Sequence, residues 1–220
     1  MKDAEYLREV YNQRFKEPLN RWATEDLLTC IKVSRKIIKW TKSQPDKSKK
    51  LLDVGCATGF YTKAFFLAGF ESYGLDYSDV AVARASQLHP ECHFIHMDGF
   101  NPVFDKKFDL IFCRGFSGAN THDLKFVSEW SNKYIDLLLP GGRFVLSYST
   151  DFTGIEVKDE TANWTQNEIM EFVSRVDASF SGLYYYLRFG LASRLYIIMK
   201  NVLSKRKIKE YFYLIFTKTR

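Results

Sequence analysis

The 220-residue sequence contains no apolar run of the roughly 18 residues that crossing a bilayer requires. Its first residues, MKDAEYLREVYNQRF, are charged throughout and contain no apolar signal core. These absences argue against a membrane-spanning helix and against export, so the cytoplasm is the expected compartment. Cysteine is scarce. Cys30, Cys56, Cys92 and Cys113 are far apart and form no C-x-x-C pair, a pattern that suits reduced thiols and excludes a disulfide framework or a zinc finger. Three of the four histidines, His89, His93 and His96, are close in sequence. If residues 92–97 form a strand, however, His93 and His96 point to opposite faces, and no metal is expected there. Acidic residues almost vanish from residues 187–220, which hold one against nine Lys and Arg.

Hydrophobic residues make up 46% and charged residues 26%, which excludes long disorder and suits a folded domain with a sizeable core. Charge is unevenly spread. Residues 1–50 carry 13 Lys and Arg against 7 Asp and Glu, and residues 51–186 carry 10 against 18. Basic ends flanking an acidic middle are compatible with an anionic substrate, a membrane surface or nucleic acid, as well as with an ordinary solvated surface.

Residues 3–16 and 24–41 read as helices, the second with Thr24 as its N-cap, and together they make residues 1–50 a helical cap. From Leu51 onward short apolar runs alternate with helical stretches. Strands are expected at Leu51–Val54, Ser72–Leu75, His93–His96, Leu110–Cys113 and Arg143–Tyr148. Helices are expected near Tyr61–Ala68, Val80–Gln87 and Asp123–Leu138, the last stopped by Pro140-Gly141-Gly142. Thr165-Gln166-Asn167-Glu168 has the form of a capping box, and Phe180–Phe189 and Tyr211–Thr217 are aromatic, β-prone runs. This alternation predicts an α/β fold with a mostly parallel sheet covered by helices on both faces.

In such sheets ligands lie beyond the carboxyl ends of the strands. The first strand here runs into Asp53-Val54-Gly55-Cys56-Ala57-Thr58-Gly59-Phe60, where small residues allow close approach to the backbone and the helix start offers amide donors. Asp76 ends the second strand, 17 positions after Gly59, and a carboxylate there can accept both hydroxyls of an adenosine ribose. Asp98 follows the third strand, where it can accept from an adenine amino group. Phe60, Tyr77 and Phe100 add apolar faces. The loop spacing is G-x-x-x-G, which departs from the G-x-G-x-x-G of nicotinamide-binding oxidoreductases.

These residues resemble the class I family of S-adenosylmethionine (SAM)-dependent methyltransferases. LLDVGCATG is similar to its first motif, GLDYSDVAVARA to its second strand and helix, and HMDGF to its third acidic corner. FDLIFCRG and LLLPGGRFVLS resemble its fourth and fifth strands. The resemblance spans Leu51 to Ser149 and implies a Rossmann-like, seven-stranded, mostly parallel sheet. Ala57 stands where the family commonly has a glycine. The resemblance further implies that Asp53 and the backbone of Gly55, Cys56, Ala57, Thr58 and Gly59 hold the methionine part of SAM. Asp76 would take the ribose, Tyr77 would lie beside the adenine, and Ser78 would belong to the same cofactor-binding segment. Asp98, Gly99 and Phe100 would meet the adenine, and Cys113 and Arg114 would lie under the sulfonium. Tyr11 and Arg14 are candidates to fold over the cofactor, and equally suit ordinary surface or core positions. S-adenosylhomocysteine (SAH) would be the product.

Methyl transfer from an activated sulfonium asks the protein chiefly to position the acceptor and exclude water. A hydroxyl acceptor gains from a general base, and His122, Asp123, Tyr148 and Asp151 are the candidates. His122 also suits capping the nearby helix, and Asp151 suits a plain loop role. The fourth strand ends in Cys113-Arg114-Gly115-Phe116, not in the Asn/Asp-Pro-Pro-Tyr of relatives that methylate base amino groups. There is also no added RNA-binding module. A small-molecule O or N acceptor is therefore favoured over nucleic acid or protein. A non-catalytic SAM-binding protein and an NAD(P)-binding oxidoreductase are the alternatives. Residues 190–209 separate the last two strands with Leu191, Leu195, Ile198, Met199, Val202 and Leu203 at helical spacing and Lys205, Arg206 and Lys207 beside them. A substrate lid, a membrane-surface helix and a packing helix all suit that pattern.

Overall fold

The computed structural model describes residues 4–16, 26–154, 162–185, 195–196, 199 and 210–219. Helix α1 (Ala4–Lys16) and helix α2 (Leu27–Thr41) come first. The N-cap of α2 is Asp26, which accepts from the Leu28 and Thr29 amides at 3.1 and 3.2 Å; Thr24 lies outside the described residues. The buried stripe of α2 is Cys30, Val33, Ser34, Ile37 and Thr41, one face of a 3.6-residue period, whereas Leu28 is exposed. Lys42, at φ 53°, ends the helix in the left-handed region and donates to Ile38 and Lys39 carbonyls.

Strands and helices then alternate as β1 (Lys50–Val54), α3 (Phe60–Leu67), β2 (Glu71–Asp76), α4 (Asp79–Leu88), β3 (His93–His96) and β4 (Phe108–Arg114). After a 3-10 turn at Ser117–Ala119 follow α5 (Leu124–Asp136), β5 (Leu138–Thr150), α6 (Gln166–Arg175), β6 (Ser179–Tyr185) and β7 (Glu210–Thr217). The seven strands lie in the order β3-β2-β1-β4-β5-β7-β6. The expected strand number is met, and the sheet is mixed. The pairs β1–β2 and β2–β3 are parallel, while β7 runs antiparallel to both β5 and β6.

The chain divides into two compact units, Met1–Phe112 and Cys113–Arg220. In the first unit, Leu51, Leu52, Val54, Phe65, Leu75 and Phe112 are fully or almost fully buried, and Phe112 packs on Phe65 and Tyr61 with ring centroids 5.3 Å apart. In the second, the buried face of α5 is Leu124, Val127, Ser128, Trp130, Ser131, Tyr134 and Ile135, a helical stripe. Phe116 stacks on Trp130 at 4.8 Å, and Tyr134 on Phe144 at 6.2 Å.

Two expectations about element boundaries are overturned: α2 starts at Leu27 behind Asp26, not behind Thr24, and the α5–β5 junction is displaced. Helix α5 stops at Asp136, and Pro140-Gly141-Gly142 lies inside β5, which is 13 residues long. Gly141 donates to the Lys218 carbonyl at 2.9 Å and Lys218 donates to the Gly142 carbonyl at 3.0 Å. The distant C-terminal segment thus supplies ladder partners to a stretch that reads locally as a turn, and Gly141 accommodates it at φ 76°. Of the proposed insertion at residues 190–209, only Leu195, Tyr196 and Met199 fall within the described residues, and all three are exposed.

Candidate cofactor-loop and acceptor-side sites

The loop after β1 owes its shape to three left-handed residues: Gly55 at φ 73°, Ala57 at 49° and Gly59 at 82°. Glycine adopts such angles without penalty, while alanine pays for the clash of its Cβ. A Cβ at Gly59 would come within 2.5 Å of the Phe94 ring, so this position needs glycine for space as well as for angle. Most of the loop's amides are spent inside the protein. Gly55 and Cys56 both donate to the Leu75 carbonyl at 2.9 Å, Gly59 donates to Cys56 at 2.8 Å, and Ala57 donates to Asp76 Oδ2 at 2.9 Å. The loop is therefore pinned to the end of β2. Among the described residues no side chain caps the first turn of α3, so the amide donors at this helix start belong to Phe60–Thr62.

Asp53 is buried, and its Oδ2 accepts from the Thr62 hydroxyl at 2.7 Å. This bond staples the end of β1 to α3. Opposite Asp53 in the ladder stands Gly74, where a Cβ would meet the Thr62 hydroxyl at 2.8 Å and Cys56 at 2.9 Å. The glycine in β2 thus makes room for the loop and for the hydroxyl that anchors it. Burial pushes the Cys56 thiol well up, helped by the negative charges of Asp76 and Asp53. Cys56 is accordingly a small packing residue and no thiolate nucleophile. Thr58 is also buried.

Asp76 is half-buried at the end of β2. Its two carboxylate oxygens each take a backbone amide, Ala57 on Oδ2 and Ser78 on Oδ1, both at 2.9 Å. A carboxylate has about four acceptor positions, so two amides leave capacity for a pair of hydroxyls. Burial raises the Asp76 pKa, and the amides of Ser78, Ala57 and Tyr77 oppose that rise. Ser78 is fully buried, caps α4 through the Ala81 amide at 3.1 Å and donates to Asn12 of α1 at 2.5 Å. Tyr77 is half-buried. Its carbonyl pairs with His96 Nε2 at 3.0 Å, and its ring lies 6.3 Å from that of His96. Asp98 closes its own turn, accepting from the Phe100 amide at 2.9 Å and the Asn101 side chain at 3.0 Å. Gly99 is buried and Phe100 half-buried; Phe60 rests edge-on against His89 at 5.1 Å. Tyr11 is half-buried on α1, and the Arg14 side chain lies outside the described residues.

In the second unit, Cys113 is fully buried and Arg114 half-buried, with the guanidinium 4.2 Å above the Tyr211 ring. Burial pushes the neighbouring Tyr213 hydroxyl up to about 12, against the opposing pull of Arg114. The segment Ala162–Glu168 grips three successive residues of the loop after the 3-10 turn. Ala162 donates to Asn120 Oδ1, Trp164 Nε1 donates to the Thr121 carbonyl at 2.8 Å, and Glu168 Oε1 lies 2.5 Å from His122 Nδ1. The expected capping box is present: Thr165 and Glu168 exchange bonds at the start of α6. Tyr148 is buried and stacks near Trp164 at 6.3 Å. Asp151 is fully buried; Oδ1 holds the Thr153 amide and hydroxyl at 2.9 and 2.6 Å, and Oδ2 has no hydrogen-bond partner among the described residues. Asp123 caps α5 through the Phe126 amide at 3.0 Å.

A family model described as "Methyltransferase domain" matches residues 45–212, most of the chain. The chain belongs to this methyltransferase family. It is an enzyme of the class I SAM-dependent type. No curated protein matches it by sequence. The methyltransferase chain is similar in fold to magnesium protoporphyrin IX methyltransferase from Synechocystis PCC 6803 with bound SAH, at 15% identity and a TM-score of 0.69, covering 99% of this chain and 100% of that one. It is also similar to the N-methyltransferase NodS from Bradyrhizobium japonicum WM9 in complex with SAH, at 13% identity and a TM-score of 0.66, covering 97% and 98%. The (4+2)-cyclase SpnF shares the fold at 14% identity and a TM-score of 0.68, covering 98% and 96%. At such identities the likeness is one of fold.

The structure joins the Gly55–Gly59 loop, Asp76 and Ser78 by hydrogen bonds and ties Asp53 to Thr62 of α3. It seats Asp98 in a self-closed turn and buries Tyr148 and Asp151. Sequence reasoning overlooked Gly74, Thr62, Asn12 and the pairing of Glu168 with His122. A glycine interrupting an apolar strand is the signal that marks Gly74.

Proposed function

We propose that this methyltransferase transfers the methyl group of SAM to a small-molecule oxygen or nitrogen acceptor. The observation that carries the cofactor half is Asp76, held by the Ala57 and Ser78 amides with acceptor capacity remaining for a diol. SAM fits this donor and acceptor set. Its ribose hydroxyls suit Asp76, its adenine suits Tyr77, Phe100 and the Asp98–Gly99 turn, and its amino acid part suits the loop carbonyls and the open first turn of α3. Cys113 and Arg114 are assigned to the sulfonium end, and Tyr11 and Arg14 to covering the cofactor. When bound, SAM supplies a methyl group on a sulfonium that already activates it. The protein's own residues orient the acceptor and keep water away.

The acceptor residues belong to the second unit, where His122, Tyr148 and Asp151 are the candidates for proton handling. An anionic acceptor is supported by Arg114, which is placed on the Tyr211 ring, and by the excess of Lys and Arg in residues 187–220. Residues 1–50 are assigned as a helical cap, 51–220 as the methyltransferase domain, and 190–209 as an insertion within it. Among the described residues no helix is long and apolar enough to cross a membrane. The test is incubation with methyl-labelled SAM and separate pools of small phenols and alcohols, small amines, RNA and unfolded protein. Label in a small phenol, alcohol or amine is expected. Label in RNA or protein alone would remove the small-molecule reading, and SAM binding without transfer to any pool would favour a non-catalytic role.

A further inference from the structure

Helix α1 has little to hold it. It is 13 residues long, and isolated helices of that length are marginal in water. Among its described side chains Phe15 alone is buried, whereas Arg8, Val10, Tyr11 and Asn12 are half-buried and Glu9, Gln13 and Lys16 exposed. Asn12 lies three positions before Phe15, so the two share one face of the helix. Asn12 makes the polar half of that attachment, its Oδ1 accepting from the Ser78 hydroxyl at 2.5 Å. Ser78 is fully buried with every polar atom engaged. Its amide donates to Asp76 Oδ1 at 2.9 Å, its carbonyl accepts from the Val82 amide at 3.0 Å, and its hydroxyl accepts from the Ala81 amide at 3.1 Å. A hydroxyl has a single proton, and among the described residues Asn12 takes it. Asp76 in turn holds the Ala57 amide on its other oxygen at 2.9 Å. An unbroken path of hydrogen bonds thus runs from α1 through Ser78 and Asp76 to the loop after β1. All of it lies inside one compact unit, Met1–Phe112.

We propose that Asn12 is a positioning residue for the cofactor site. By taking the Ser78 proton it docks α1 and holds the Ser78 amide on Asp76, so that docking of α1 and occupancy of Asp76 by a diol strengthen each other. This rests on the methyl-transfer reading above, which gives the ribose hydroxyls of SAM to Asp76. The bond is made before the ligand arrives, so it contributes to affinity by keeping the carboxylate aimed and sparing an ordering cost on binding. Without Asn12 the buried Ser78 hydroxyl loses its acceptor, which is costly, and the Asp76–Ser78 turn relaxes to satisfy it. That relaxation draws the Ser78 amide from Asp76 Oδ1 and spoils the acceptor geometry. Coupling between two sites is reciprocal. A ligand that favours the aligned turn therefore favours the docked helix by the same factor. Asn12 acts through Ser78 and Asp76 and needs no contact with the ligand. Tyr11 and Arg14 are carried on the same helix, so the covering role assigned to them depends on this attachment.

Asn12→Ala removes the acceptor and leaves a good helix former in its place. Calorimetric titration is expected to show SAH binding about 3- to 10-fold weaker than in the wild type, the worth of one neutral hydrogen bond. Gln13→Ala, at the exposed neighbouring position, is expected to match the wild type. Ser78→Ala removes the donor, so adding Asn12→Ala to it is expected to change SAH affinity by less than about twofold. Hydrogen exchange of residues 4–16, followed by mass spectrometry, is expected to slow when SAH saturates the wild type and to respond less in Asn12→Ala. An Asn12→Ala affinity within twofold of wild type overturns the proposal, even where exchange in α1 has quickened, because a merely structural tie has that signature. An equal loss in Gln13→Ala, the same Asn12→Ala loss with and without Ser78→Ala, or exchange across α1 that ignores SAH also overturns it. Should Ser78→Ala fail to fold, the comparison of Asn12→Ala with Gln13→Ala and the exchange readout decide. Absence of SAH binding by the wild type defeats the methyl-transfer reading instead.

Discussion

Replacing Asp76 by asparagine tests the cofactor loop at its most informative atom pair. In the wild type both carboxylate oxygens accept backbone amides at 2.9 Å, from Ala57 and from Ser78. Asparagine keeps one acceptor and turns the other into a donor, which then confronts a backbone N–H. Leaving that amide unpaired costs about 1–3 kcal/mol. For a chain of this size each kcal/mol moves the melting temperature by about 2–4 °C, so a 2 kcal/mol loss lowers it by about 4–8 °C. Binding of SAH suffers separately. Hydrogen bonds to a charged acceptor contribute about 1.5–3 kcal/mol each, so losing the equivalent of one or two weakens binding on the order of 100-fold. Differential scanning fluorimetry measures the first effect, and isothermal titration calorimetry at 15 °C, below the melt of either protein, measures the second. Acidity adds an independent sign. Burial raises the Asp76 pKa, so its contribution to stability is full below the ordinary aspartate range and is lost as pH rises through the raised value. Affinity for SAH moves the other way, falling as acidification protonates the acceptor. Both pH dependences are expected to disappear in D76N. An SAH dissociation constant within threefold of wild type, in a variant whose melt has dropped, would show that Asp76 holds only its own loop.

Three further substitutions probe how the loop is built. Ala57→Gly removes the Cβ clash at φ 49°, worth about 1–2 kcal/mol, against about 0.5–1 kcal/mol of added chain entropy; a small rise in melting temperature is expected, and a fall would contradict the strain argument. Gly74→Ala places a Cβ within 2.9 Å of Cys56 and the Thr62 hydroxyl, and overpacking of about 1–3 kcal/mol should lower the melt and weaken SAH binding together. Thr62→Val deletes the buried 2.7 Å bond to Asp53 at a cost of about 1–3 kcal/mol, while Thr62→Ser restores most of it; equal melts for the two variants would remove Thr62 as the staple between β1 and α3.

What the sequence discloses, and what it hides, follows from the range of each interaction. The strand ends at Asp53, Asp76 and Asp98 and the loop Gly55–Gly59 are readable because glycine, small residues and a carboxylate after an apolar run are local signals. The path of β5 through Pro140-Gly141-Gly142 is not, because the partner that turns it into a strand is Lys218, 76 or more positions away along the chain. The use of the loop amides is hidden for the same reason: an N–H at a helix start reads as a ligand donor until the fold brings the Leu75 carbonyl and Asp76 to it. Glu168 is the most instructive case. The local motif T-x-x-E accounts fully for one carboxylate oxygen, and a reader satisfied by the cap has no reason to ask about the second. That second oxygen reaches His122, 46 positions earlier. A cap that immobilises one oxygen also aims the other, so a residue fully explained by helix formation can still hold a side chain of another loop in place.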